Sequence, residues 1–136
     1  MTRIGACRLR AGLLMLLALA LTGCFPERQT RVPQINGTVT KDGQAAAGVP
    51  LALSLQYDAC DVPVQKIRSS PDGSFQFRDV KDWGVGKVFV SPEQTYSICM
   101  DAGEGYEVAF KQRAWRGPAP EIFACNLNAM TCDKAQ

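Results

Sequence analysis

The residues of this 136-residue chain whose types and spacing bear most on chemistry are its cysteines and carboxylates, for it contains no histidine. That absence removes the commonest general base and every Ser-His or Cys-His nucleophile arrangement. The 6 cysteines are Cys7, Cys24, Cys60, Cys99, Cys125 and Cys132, and no two are spaced C-x-x-C. Without that spacing or a histidine, a zinc set of the usual Cys/His kind is not expected. Asp58 and Asp61 flank Cys60 and offer oxygen donors of the type calcium uses. Capping of a loop is the plainer reading of the pair. The chain has no Gly-rich phosphate loop and no pair of catalytic carboxylates, so neither catalytic residues nor a cofactor or metal site is expected.

Cys24 stands apart from the other thiols by its setting. Arg3, Arg8 and Arg10 precede an apolar run from Ala11 to Leu21. That run is about half of the roughly 20 residues a spanning helix needs, and positive charge before a short apolar core is the pattern of a secretory signal. It ends in Leu21-Thr22-Gly23-Cys24, which resembles the lipobox of bacterial lipoproteins: an aliphatic residue, two small ones, then a cysteine. The resemblance implies cleavage before Cys24 and attachment of a diacylglycerol to its thiol. Residues 1–23 are therefore read as a signal peptide, 24–33 as a lipidated tether and 34–136 as the domain. Phe25 to Pro33 is polar, Pro-bounded and aperiodic; extended, such a tether reaches about 35 Å. No aspartate follows Cys24 directly, the next residues being Phe25 and Pro26. In a Gram-negative host the resemblance then implies the outer membrane, with the domain facing the periplasm.

Setting the signal aside changes the charge. All 13 acidic residues lie after Cys24, whereas 3 of the 15 basic ones lie before it, leaving 12 − 13 = −1. A nearly neutral domain has no electrostatic footprint for nucleic acid. Four cysteines remain, and an even number in an exported domain points to disulfides. Cys125 and Cys132 bracket the short stretch NLNAMT, so a local bridge there would leave Cys60 for Cys99. A bridge from Cys125 to a distant partner is the alternative that the spacing leaves open.

From Ile35 onward the apolar period is two. Val49, Leu51, Leu53, Leu55 and Tyr57 alternate with mostly small or polar residues, and Phe75 and Phe77 alternate after the turn SPDG. KDGQ marks another turn, and KVFVS, TYSICMD, YEVAFKQ and EIFACNL continue the series. Short alternating runs between Gly, Pro and Asp predict an all-β, single Greek-key β-sandwich of about seven strands. Pro92-Glu93-Gln94 is the one place where a helical turn is expected, and Asp79, Lys81 and Asp82 read as a solvated turn.

INGTVTKDGQAAAGVPLALS, followed later by SSPDGSFQFRDV, resembles the carboxypeptidase-regulatory-like, or transthyretin-like (prealbumin-like), β-sandwich family. The features carrying the resemblance are Ile35, Gly37 and Val39, then Gly48 to Leu53, then the hairpin from Asp72 to Phe77. They span roughly Gln34 to Val80 and imply a fold rather than an activity. From Lys81 onward, with DWGVG and a cysteine-bracketed tail, the chain departs from that pattern. The hydrolases of the transthyretin-like group rely on histidine, so their activity does not carry over.

Trp83, Tyr106 and Trp115 are the aromatic residues least certain to serve only as core. Trp115 stands between Arg113 and Arg116 before a Pro-rich stretch, and tryptophan with arginine is the composition of an interaction hot spot. Packing of Trp115 against the end of the sandwich is the structural alternative. The expected function is that of a membrane-anchored, non-catalytic interaction or structural module with an unnamed envelope partner. The alternative is a lipoprotein that binds a small ligand or carbohydrate through aromatic residues at the sandwich end.

Overall fold

The period-two segments pair into sheets in the computed structural model, which describes residues 26–85, 94–113 and 119–135. Its strands are β1 (Pro26–Val32), β2 (Ile35–Lys41), β3 (Gln44–Ala45), β4 (Pro50–Ser54), β5 (Pro63–Arg68) and β6 (Ser74–Phe77). There follow β7 (Val80–Val85), β8 (Tyr96–Asp101), β9 (Tyr106–Gln112), β10 (Glu121–Asn126) and β11 (Thr131–Lys134). The all-β expectation holds, with more strands than anticipated. The strand expected at Lys87–Ser91 lies outside the described residues, as do Pro92 and Glu93 of the expected helical turn.

One layer is a five-stranded sheet ordered β11-β10-β2-β3, with β6 also paired to β2. The other is a four-stranded sheet ordered β5-β4-β8-β9. β10 runs parallel to β2, while β6 pairs with it antiparallel. The chain therefore shuttles between layers, and adjacent hairpins supply strands to opposite sheets. Ile35, Val39, Phe75, Phe77 and Phe123 from one layer meet Leu51, Leu53, Tyr96, Ile98 and Met100 from the other in a single buried cluster. Phe110 and Phe123 pack edge to face across the layers, their centroids 4.7 Å apart.

Local chemistry fixes the register. The hairpin into β6 turns at Gly73, whose φ of 79° is costly for other residues. The Asp72 carboxylate there accepts bonds from the Ser74 amide and hydroxyl at 3.0 and 2.6 Å, which lower its pKa. Gly37 is opposite Phe75 in the β2–β6 ladder. A Cβ at Gly37 would come within 2.7 Å of the Phe123 carbonyl oxygen and strike the Phe75 ring. Glycine in this central strand thus leaves room for an aromatic ring to lie across it. Between the layers, Gln65 bonds the Arg78 backbone through both ends of its amide, at 2.7 and 3.0 Å.

The two disulfides are Cys60–Cys99 and Cys125–Cys132. Cys125 and Cys132 are directly opposite in the β10–β11 hairpin, so the local bridge favoured by the NLNAMT spacing is the one formed. The loop it closes is docked as well. Asn128 accepts from the Asp42 amide at 2.8 Å and donates to the Asp42 carboxylate at 3.0 Å, tying it to the β2–β3 turn.

The stretch read as a tether, 24–33, contains a strand that its aperiodic sequence does not announce. Pro26–Val32 is a strand, paired antiparallel with Val80–Val85 in a separate two-stranded ribbon. The solvated turn expected at Asp79 to Asp82 leads into the same ribbon, with Arg31–Asp82 and Lys81–Asp79 ion pairs at 3.1 and 3.0 Å. Arg28, Lys81 and Asp82 of this ribbon are exposed, and a strand pair outside the two packed layers need not alternate as their strands do. Its composition therefore looks like linker.

Candidate functional site

Tyr57 was expected to continue the buried face of β4, but that strand ends at Ser54. The loop after it folds back over the outer face of the four-stranded sheet. The Cys60–Cys99 bridge pins that loop to β8. Ser97 adds two stitches, its hydroxyl donating to the Gln56 carbonyl at 2.8 Å and accepting from the Asp58 amide at 3.0 Å. Thr95 donates to the Leu55 carbonyl at 3.2 Å. This cover explains why Ala52, Ser54 and Ser97, on the outward side of central strands, are completely buried.

The fixed loop presents Tyr57 to β9 and the residue following it. The Arg113 guanidinium lies 3.9 Å from the Tyr57 ring centroid, and the Lys111 ammonium lies 5.3 Å from it. Cation–aromatic contacts of this kind favour tyrosine over a purely aliphatic surface residue. Asp58, next along the loop, bonds Lys111 at 2.8 Å. That hydrogen bond is the main reason the Lys111 pKa is raised above its ordinary value, so the ammonium stays charged. Across the same sheet face, Lys66 lies 5.6 Å over the Tyr106 ring. Beyond the loop, Val62 and Val64 are 66% and 45% exposed at the edge strand β5. The result is a surface of stacked cations and aromatic rings toward the β9 edge of the sheet, with exposed valines at the β5 edge.

A second polar cluster closes an end of the core. Tyr96 is wholly buried on β8 and donates its hydroxyl to the Glu121 carboxylate. Lys134 bonds the other oxygen of that carboxylate at 2.6 Å. Burial, and then the acceptor Glu121, push the Tyr96 hydroxyl pKa far above the usual phenol range. Held in this way, Tyr96 is a donor to Glu121 and a tie between the layers.

The residues singled out from sequence fare differently. Arg113 is exposed and stacked as described. Trp83 belongs to β7, opposite Arg28. Cys24, Trp115 and Arg116 lie outside the described residues. Tyr106 is half-buried beneath Lys66. Asp58 is committed to Lys111, and among the described residues no group of His, Cys, Asp and Glu is placed to hold a metal ion. Sequence reading missed Tyr57 and Lys111 as parts of the surface, because only the folded loop brings them together. The one local signal was an aromatic residue and an aspartate just ahead of a cysteine. No protein-family model matches the chain, and no curated protein matches it significantly.

Proposed function

We propose that the chain is a lipoprotein, anchored through Cys24 to the periplasmic face of the outer membrane of a Gram-negative cell. Its transthyretin-like sandwich serves there as a non-catalytic interaction module. The lipobox-like Leu21-Thr22-Gly23-Cys24 supports the anchor. The observation that carries the interaction reading is the stitched loop, which holds Tyr57 under Arg113 at the β9 edge of a sheet whose other edge, β5, exposes Val64 just after exposed Val62. Apolar side chains held rigidly at a sheet edge lose little entropy on binding, and an edge strand offers backbone partners as well. Carbohydrate binding is less well supported: stacking on a sugar needs an open ring face, and Arg113 already lies over Tyr57.

A photo-crosslinking amino acid tests this reading in the intact envelope. Placed at Val64, it is expected to give a discrete protein adduct, which Arg113→Glu weakens. Placed at Lys41, on the other sheet, it should give none. Absence of adducts at both positions in correctly folded protein, or equal adducts at both, would contradict the assignment of this surface.

A further inference from the structure

The ribbon of β1 and β7 stands outside both layers of the sandwich. It pairs from Pro26↔Val85 to Val32↔Val80, and neither strand joins either larger sheet. Its root is fixed in three ways. Val32 is wholly buried in the core, Val80 packs against that core, and Gln94 Nε2 donates to the Thr30 carbonyl at 2.9 Å. From this root the strand runs back to Pro26, about 20 Å at roughly 3.3 Å per residue. The Arg31–Asp82 pair adds a side-chain tie across it.

Pairing changes what an anchor at Cys24 does to the domain. A free ten-residue tether would let the sandwich take any orientation within about 35 Å of the lipid. With β1 paired, only two residue steps separate Cys24 from Pro26, a reach of about 7 Å. The far end of the ribbon therefore cannot leave the lipid surface. Register brings Trp83 opposite Arg28, and Val85 opposite Pro26, at that end. Tryptophan and arginine are residue types that suit the boundary between membrane and water.

We propose that the β1–β7 ribbon is a stiff stalk whose far end rests on the bilayer carrying the anchor. The anchor then fixes the orientation of the sandwich as well as its distance. This inference rests on the lipidation reading, and its test separates the two. The full-length product is purified from membranes and reconstituted into phosphatidylcholine vesicles containing a rhodamine lipid. It carries a donor fluorophore on an unnatural residue at Glu104, in the turn between β8 and β9. A second form has a flexible Gly/Ser spacer with one lysine inserted between Phe25 and Pro26.

Under trypsin the spacer form should be released from vesicles quickly. The wild type has Arg28 and Arg31 within its ribbon and should be released about tenfold more slowly, because cleavage there waits on local opening. Energy transfer from position 104 should be single-valued in the wild type and broadened by the spacer. Release of the wild type as fast as the spacer form, by cleavage after Arg28 or Arg31, would overturn the stalk while leaving the lipid intact. Identical energy transfer in both forms would also overturn it. A wild type that carries no lipid and never attaches to vesicles would remove the anchor itself, and the stalk's role with it.

Discussion

Replacing Cys60 with Ser and Cys99 with Ala together is expected to cost the domain about 4 kcal/mol, given the 39-residue separation that the bridge closes. The same loop-entropy relation gives only about 2 kcal/mol for Cys125–Cys132, whose separation is 7. The long-range bridge carries a second burden. It holds the loop that covers Ala52, Ser54 and Ser97 and places Tyr57 beneath Arg113. Losing it should therefore wet the outer face of β4 and β8 and free the Tyr57 ring, beyond the change in global stability. Urea unfolding of the two double variants measures the difference. Equal losses, or a greater loss at Cys125–Cys132, would show that the loop does not depend on the Cys60–Cys99 bridge in this way.

Truncation at the centre of the core should be comparably severe. Leu53 is fully buried on β4, and Phe75 is almost so on β6. Leu53→Ala and Phe75→Ala should each destabilise by about 2–5 kcal/mol, through lost transfer energy and the cavity left behind. The two sites differ in how they can relax. Phe75 lies across Gly37 and packs edge to face on Phe77, at 5.7 Å between centroids. Its loss exposes a strand segment that has no side chain of its own at Gly37. Leu53 lies between ladder partners Gln65 and Ile98, and it is the smaller side chain, so its truncation leaves the smaller cavity. Phe75→Ala is accordingly expected at the upper end of the range. Thermal or denaturant unfolding that finds either variant as stable as the wild type would contradict the two-layer core.

How much of this was legible depended on whether a strand had one buried face. β2 and β6 bury alternate residues, Ile35, Gly37 and Val39 in one and Phe75 and Phe77 in the other, so each announces itself. β4 and β8 are buried on both faces. Small residues such as Ala52 and Ser97 then mark cover by a loop rather than exposure to water, a distinction that composition does not make. The β1–β7 ribbon is the opposite case: Arg28, Lys81 and Asp82 are exposed, and its sequence shows no apolar period. The Cys125–Cys132 pairing was readable because its partners face each other across one hairpin. The Tyr57–Arg113 surface was not, since its members come from segments far apart in the chain and meet through the Cys60–Cys99 bridge and the bonds of Ser97 and Thr95 to the loop. Arg113 was singled out for its neighbour Trp115, which lies outside the described residues; among those described its aromatic partner is Tyr57.

One measurement tests the proposed anchor and the two disulfides of the sandwich together. Intact-mass spectrometry of the protein extracted from membranes without reductant should give a chain beginning at Cys24. Its mass should include a diacylglyceryl group and an amide-linked acyl chain, and lack four hydrogens relative to the reduced form. Several acyl chains, at about 0.8 kcal/mol per buried CH₂, make such attachment lasting where one chain would not. An unprocessed chain, or one beginning elsewhere without lipid, would contradict the anchor; free thiols at Cys60, Cys99, Cys125 and Cys132 would contradict the disulfides.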